Sequence, residues 1–284
     1  KDSQQPPIAF VAHMDHPGFE IVESNNSVAV AQALGGVPVS CLSAPARVLV
    51  LVPDGRRISA ETRPVAEGIR SRTVEIPMPD NIPLTYPTPV VFDLQDFLLD
   101  GDLLRMRALD DLAGCATILS AIERLMHNRI ETDVFAVFTR AEEVGLYGAR
   151  LMAEHGVLPR DTLIVSIEAS PVIPGVSQGD GPVVRTGDAA YTFDANVEQI
   201  LTASVERIKR RDHGYKSQRQ LMSGGTCEAT AFAVFGYQVS GIAYPLGNYH
   251  NATKGIANSK GAIAEEYIHL SDFLGGIELV YETA

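Results

Sequence analysis

Glu142 and Glu143 stand side by side in Thr139-Arg140-Ala141-Glu142-Glu143-Val144-Gly145, directly after the apolar run Val134 to Phe138. That run predicts a buried strand, and two acids where such a strand reaches the surface are costly unless both charges are used. Carboxylates a few ångströms apart are normally neutralised, separated or bound to a cation, so a metal centre is the first chemistry to consider. Four further segments carry matching residue types. His13 and Asp15 follow the apolar stretch Ile8 to Ala12 and share one face of an extended chain, so Asp15 is expected to accept the ring N–H of His13 and fix its tautomer. Asp110 and Asp111 open the segment Leu109 to Gly114, Glu168 ends the strand-like run Leu163 to Ile167, and His250 follows the run Val239 to Tyr244. Histidines and carboxylates without cysteine suit zinc, cobalt or manganese, not an iron–sulfur cluster or a Cys-rich zinc site. Two cations fit this inventory better than one. A single catalytic zinc needs about three protein ligands, whereas a bridging carboxylate plus one His and one acid per ion uses five and leaves a glutamate free as base.

These residues all follow apolar strands or open a helix, which in an open α/β sheet is the edge where sites are built. Cys115, Ile118, Leu119, Ile122, Leu125 and Met126 recur at the spacing of one buried helix face, with Asp111 where a helix cap is expected. Beyond His127 the pattern alternates: strand Val134 to Phe138, helix Ala149 to Glu154, strand Leu163 to Ile167, a helix from Val197, a short helix Ala229 to Phe235, a strand, and a last helix Ser271 to Tyr281. The alternation predicts a layered α/β domain. From Phe19 to Leu98 the texture differs, with short apolar runs broken by Gly35-Gly36, Pro38 and Pro53-Asp54-Gly55, as in small antiparallel strands. The expected division is residues 1–18 and 99–284 for the α/β domain and 19–98 for an inserted β-rich domain. Lys1 to Pro7 lead directly into the first strand.

With 284 residues, 45% of them hydrophobic, the chain has material for a substantial core. A net charge of −12 makes nucleic acid and anionic membrane poor partners. The basic run Lys209-Arg210-Arg211 falls at an expected helix C-terminus, where positive charge is favourable. Cys41, Cys115 and Cys227 are few, odd in number and widely spaced, so they read as reduced thiols and the compartment as cytoplasmic. No apolar stretch reaches the roughly 20 residues of a membrane span, and no charged-then-apolar leader opens the sequence.

Taken together, the segments resemble the co-catalytic dinuclear zinc aminopeptidases of the glutamyl/leucyl group, which includes the tetrahedral TET enzymes. The likeness rests on motif order: His-x-Asp after a strand, a long insertion, Leu-Asp-Asp-x-x-Gly-Cys before a helix, Glu-Glu-Val-Gly-Leu-x-Gly, a strand acid, Ser-Gly-Gly-Thr and a late His. The resemblance implies an α/β/α metallopeptidase domain with a central mixed sheet, plus an inserted small β-barrel-like domain used in self-assembly, often to a dodecamer. It implies a homo-oligomer acting on peptides with a free N-terminus, with two divalent ions, zinc first and cobalt or manganese as alternatives. By the same likeness Asp110 bridges, His13 and Glu168 complete one metal, Glu143 and His250 complete the other, Glu142 is the general base toward a bridging hydroxide, and the Asp110–Asp111 peptide is cis. Asp15 joins Glu142 in the catalytic set.

The sequence departs from that pattern in four places. Cys227 and Glu228 stand where an Asp usually follows Gly-Gly-Thr, Glu168 where Asp is commoner, Asn-Tyr-His-Asn where Ile-His-Ser is usual, and His16 where an acid is common. His155, His213 and His269 read as surface residues, with His213 also able to approach a partner subunit's site. Arg185 and Arg219 read as cations for an acidic substrate group or as ordinary surface charges. A carboxypeptidase or N-acyl amino acid deacylase would use the same metals and base. Glycoside hydrolysis does not suit adjacent acids, since its two carboxyls face each other about 5 Å or more apart across a sugar.

Overall fold

The computed structural model describes residues 6–25, 27–65, 72–79, 82, 84–258 and 260–284. Lys1 to Gln5, part of the expected lead into the first strand, lie outside the described residues. The chain runs through β1 (Ile8–His13), β2 (Gly18–Ser24), β3 (Val28–Leu34), β4 (Arg47–Leu51), β5 (Arg57–Glu61), β6 (Thr73–Pro77), β7 (Thr88–Phe92), β8 (Leu98–Asp100) and β9 (Leu103–Met106). Helices and strands then alternate: α1 (Leu109–His127), β10 (Val134–Thr139), α2 (Tyr147–Glu154), β11 (Leu163–Pro171), β12 (Val183–Gly187), α3 (Ala195–Arg211), β13 (Gln218–Leu221), α4 (Glu228–Val234), β14 (Val239–Leu246), β15 (Glu266–His269) and α5 (Leu270–Thr283).

The central sheet has the order β10-β1-β11-β14-β12-β13. Its first four strands are parallel and β12 is antiparallel to β14, so the sheet is mixed. Buried parallel strands are apolar on both faces, and the pleat sorts their side chains. Phe10, Ala12, Val165, Ile167, Ile242 and Tyr244 pack with α1, α3 and α5, whereas Ala9, Val11, Ile164 and Val239 pack with α2 and α4. The result is the three-layered α/β/α arrangement.

The second sheet, β5-β4-β7-β2-β3-β6, lies between β1 and α1 in the chain and has its own core of residues such as Ile21, Val48, Val50, Ile76 and Val90. It curls: the Arg63 N–H donates to the Glu75 carbonyl at 2.8 Å, bringing the end of β5 to β6. A third, small sheet of order β15-β9-β8 joins late and early segments.

Three expectations are corrected here. β10 is an edge strand with Phe135 and Ala136 exposed, because only β1 flanks it, so the acid pair leaves a half-covered strand and not a buried one. The stripe on α1 is wider than the surface available to cover it: Cys115, Ile118 and Leu125 are buried, but Leu119 is 58% and Met126 74% exposed. Glu168 does not end its strand. β11 continues to Pro171, and Glu168 pairs with Ala243 inside the sheet.

Candidate metal centre

Parallel pairing delivers three of the candidate residues to one edge of the sheet. His13 closes β1 opposite Thr139, three residues before Glu142. Glu168 lies two residues beyond the rung Val11 to Ser166 and so stands level with His13. Asp110 arrives at the start of α1, where its peptide bond to Asp111 is cis, and the Gly114 N–H donates to Asp111 Oδ1 at 3.1 Å as a cap. His250 sits in a turn in which Asn248, His250 and Asn251 all have left-handed φ, at 53°, 55° and 64°.

These segments converge on Asp110. Its Oδ1 is 3.2 Å from His13 Nε2 and its Oδ2 is 3.6 Å from His250 Nε2. His13 Nε2 is also 3.1 Å from Glu168 Oε1 and 3.9 Å from Glu142 Oε2, while His250 Nε2 is 3.3 Å from Glu143 Oε2. The five expected ligands and Glu142 are therefore brought together, in two groups that share one carboxylate.

Each imidazole is oriented through its other nitrogen, the arrangement that leaves Nε2 facing the cluster. His13 Nδ1–H donates to the backbone carbonyl of Asp15 at 2.9 Å, and the nearest carboxylate oxygen of Asp15 is 3.8 Å away. This corrects the expected side-chain contact. The Asp15 carboxylate is instead engaged by two successive amides, accepting the N–H groups of Glu142 at 3.1 Å and Glu143 at 3.2 Å. It thus fixes the backbone of the acid pair. His250 Nδ1–H donates to the carbonyl of Gly36, from the loop after β3, at 3.2 Å. Only glycine fits there, since a Cβ at position 36 would lie 1.9 Å from His250 Nδ1.

Electrostatics describe a cluster that lacks positive charge. Burial opposes it, but hydrogen bonds and charge from Asp110 and Glu168 hold His13 well above the ordinary histidine range. His250 is raised to about 10 against the same burial by Asp110 and Glu143. Glu142 is pushed up to about 10 by burial and by the charge of Glu168, with His13 acting the other way. Asp110 Oδ1, Glu143 Oε1, Glu168 Oε2 and His250 Nε2 are buried without a hydrogen-bond partner. Ligand atoms of His13, Glu142 and Glu168, and of His13, Asp110 and Glu143, lie within 4.8 Å of one another, and buried donors left without partners are the chemistry of a divalent-cation site. The residues fit such ions.

A family model described as M42 glutamyl aminopeptidase matches residues 82–264, which is more than half of the chain. The chain belongs to that family. A curated protein of Acetivibrio thermocellus named "Putative aminopeptidase" is 25% identical over 199 residues, 66% of this M42 chain and 53% of that protein. This chain thus spans about half the length of that curated relative. The M42 chain also superposes on a TET aminopeptidase from a marine-sediment Thaumarchaeota archaeon, with a TM-score of 0.80 at 22% identity, covering 99% of this chain and 82% of the other. For the Pyrococcus horikoshii TET1 peptidase, which can assemble into a tetrahedron or a large octahedral shell, the values are 0.78, 23%, 99% and 84%. At these identities the superpositions establish a shared fold.

Several further buried polar residues surround this M42 centre, of which Glu266 was not singled out from sequence. Arg185, read from sequence as a cation for an acidic substrate group or as an ordinary surface charge, is 2% exposed, with Nη1 3.5 Å from Glu168 Oε2, whereas Arg219 is exposed and paired with Glu198. Glu228 is fully buried, accepts from Thr139 Oγ1, and is raised by burial to about 8. Its position after Gly-Gly-Thr was the available signal. Glu266 is fully buried too; its alternation with Ile268 across Tyr267 is the pattern that distinguishes it from Glu265. His16 is held through its ring: Nδ1–H donates to Asp110 O at 2.6 Å, and Nε2 lies 3.2 Å from Asn251 Oδ1. His155 and His213 are exposed, and half-buried His269 accepts the Ser271 N–H at 3.2 Å as a helix cap. The three cysteines are buried and unpaired with one another.

Proposed function

We propose that the protein is a metal-dependent aminopeptidase that removes N-terminal residues from peptides through a dinuclear centre. The observation that carries this reading is Asp110, whose two oxygens face separate His-plus-Glu groups. His13, Glu168 and Asp110 would hold one ion, and Glu143, His250 and Asp110 the other. Divalent ions there, zinc or else cobalt or manganese, supply Lewis acidity toward a peptide carbonyl and toward water.

The chain's own residues do the rest. Glu142, belonging to neither group in this assignment, accepts the proton of the attacking water as the C–O bond forms, and delivers it to the amide nitrogen as the C–N bond breaks. Asp15 aims that base through the two backbone amides it accepts.

A second reading, carboxypeptidase or N-acyl amino acid deacylase, is favoured by one feature. Arg185 lines the recess beside Glu168 together with Ser170, Gly225 and Thr226, and its Nε and Nη1 are buried without acceptors, a cost that a substrate carboxylate would relieve. Metal content by mass spectrometry, measured beside hydrolysis of aminoacyl-nitroanilides and their N-acetylated counterparts, separates the two. Two ions with cleavage only of free-amine substrates supports the first reading; cleavage only of blocked substrates transfers the assignment to the second; absence of bound metal sinks both.

The same proposal takes residues 1–18 and 99–284 as the catalytic domain and 19–98 as a domain for assembly or substrate access. It includes a homo-oligomer, a dodecamer by analogy with the TET shells, working in the cytoplasm without nucleic acid or membrane partners. Among the described residues no helix is long and apolar enough to cross a membrane. Light scattering of the purified chain gives the assembly state, and a monomer at micromolar concentration would remove that part.

A further inference from the structure

Glu266 is fully buried, lies outside both His-plus-Glu groups, and has both of its oxygens occupied. Oε2 accepts the backbone N–H of Asp110 at 3.1 Å, and Oε1 accepts the backbone N–H of His250 at 2.9 Å. Its carboxylate therefore joins two residues 140 positions apart in the chain, both candidate ligands. The strand that carries it makes the same connection through the main chain. β15 pairs antiparallel with β9, with Glu266 opposite Met106, and β9 leads into Asp110. On the other side Tyr267 exchanges two backbone hydrogen bonds with Gly247, at 2.9 and 3.1 Å, three residues before His250.

The need for such a brace is visible in the backbone. His250 adopts a left-handed φ, as do Asn248 and Asn251 on either side of the Tyr249–His250 pair, and for a histidine this conformation is disfavoured unless the surroundings hold it. A hydrogen bond from the His250 amide to a side chain anchored on β15 is a suitable restraint. Asp110 is held on its other side as well, since His16 Nδ1–H donates to its carbonyl.

We infer that Glu266 is a positioning residue that locks the backbones of Asp110 and His250 to each other, so that the small third sheet serves as the frame of the metal centre. The inference rests on the dinuclear reading given above. It assigns Glu266 no contact with metal or substrate; both of its oxygens are turned to backbone amides.

The test is calorimetric titration of the metal-free full chain with Zn²⁺, in the parent and in Glu266→Gln and Glu266→Asp, alongside thermal unfolding of each metal-free protein. Gln keeps the length but loses the charge and one acceptor; Asp keeps the charge but is one methylene too short to span both amides. The expected result is two ions in the parent, and in both variants an affinity about 10- to 100-fold weaker for the ion sited at His250, with metal-free unfolding temperatures near the parent's. Parental affinity in both variants overturns the inference while leaving the dinuclear reading intact. Loss in Glu266→Gln alone also overturns it, since the carboxylate would then act through charge and not reach. A parent that binds no ion overturns the dinuclear reading and the inference with it. If neither variant folds, hydrogen exchange in the metal-free parent decides: slow exchange at both the Asp110 and His250 amides is expected, and exchange at the rate of exposed loop amides overturns the inference.

Discussion

The curled insert and the parallel sheet treat buried polarity in opposite ways. Among the described residues of the insert only Thr62 and Thr88 are buried polar side chains, and its charges sit outside in pairs such as Arg47 with Asp93 and Arg57 with Asp96. The α/β region buries His13, Asp110, Asp111, Glu168, Arg185, Glu228, His250 and Glu266 within one neighbourhood. Burying charge is expensive, so a region that does it repeatedly is one whose charges have partners or work to do. The insert is an ordinary hydrophobic core; the parallel sheet carries a charge assembly held in place by backbone amides and carbonyls.

The sharpest way to test that contrast is in the charge assembly. Glu142→Gln is expected to lower kcat by about 10²- to 10⁴-fold while both ions remain bound, whereas Glu143→Gln should lose metal; kinetics with metal analysis on each variant checks this, and the reverse pattern would exchange the two roles. A change confined to the insert core should act only on stability. Ile76→Ala is expected to cost about 2–5 kcal/mol in denaturant unfolding, with Zn²⁺ affinity of the folded protein at the parental value.

Gly36 is one place where the two regions touch at the candidate centre, so it tests how separate they are. Gly36→Ala should displace the His250 ring and weaken metal binding by about 10- to 100-fold without unfolding the insert, as read by titration and circular dichroism; unchanged affinity would mean the insert does not orient His250. Metal loading should also release protons, because His13, His250 and Glu142 are all raised in the metal-free cluster. Titration in buffers of different ionisation enthalpy measures that release, and its absence would contradict the electrostatics.

The smallest expected effect lies on the solvent side of the α/β region, where Arg124, Arg207 and Arg211 pair with Glu278 and Glu282 between α1, α3 and α5. Burial opposes it, but hydrogen bonds from these arginines hold both glutamates below the ordinary value. Their stabilisation is present above the unfolded pKa of about 4.5 and lost as pH falls through the lower folded value. After solvent screening it amounts to about 0.2–1 kcal/mol per pair. Glu278→Gln should flatten the acid limb of the stability profile slightly, and an unchanged limb would remove these pairs from the account.

The α/β layering and the meeting of His13, Asp110, Glu143, Glu168 and His250 were legible because apolar strands point at their own ends. What escaped depended on neighbours the chain does not adjoin. The exposure of β10 follows from its place at the sheet edge, and the burial of Leu125 but not Met126 from which side of α1 meets the sheet. Asp15 was singled out for its position but assigned the wrong partner, because the amides it accepts lie 127 and 128 residues away. Glu266 carries no local signature that marks it as spanning two distant backbones.

The candidate donors are spread from His13 to His250, and the brace lies later still, at Glu266. A chain that has reached His250 but not β15 therefore holds every candidate donor without the strand that braces them. If the proposed centre binds metal, a tightly held pair of ions reports that segments from His13 to Glu266 have docked on one another.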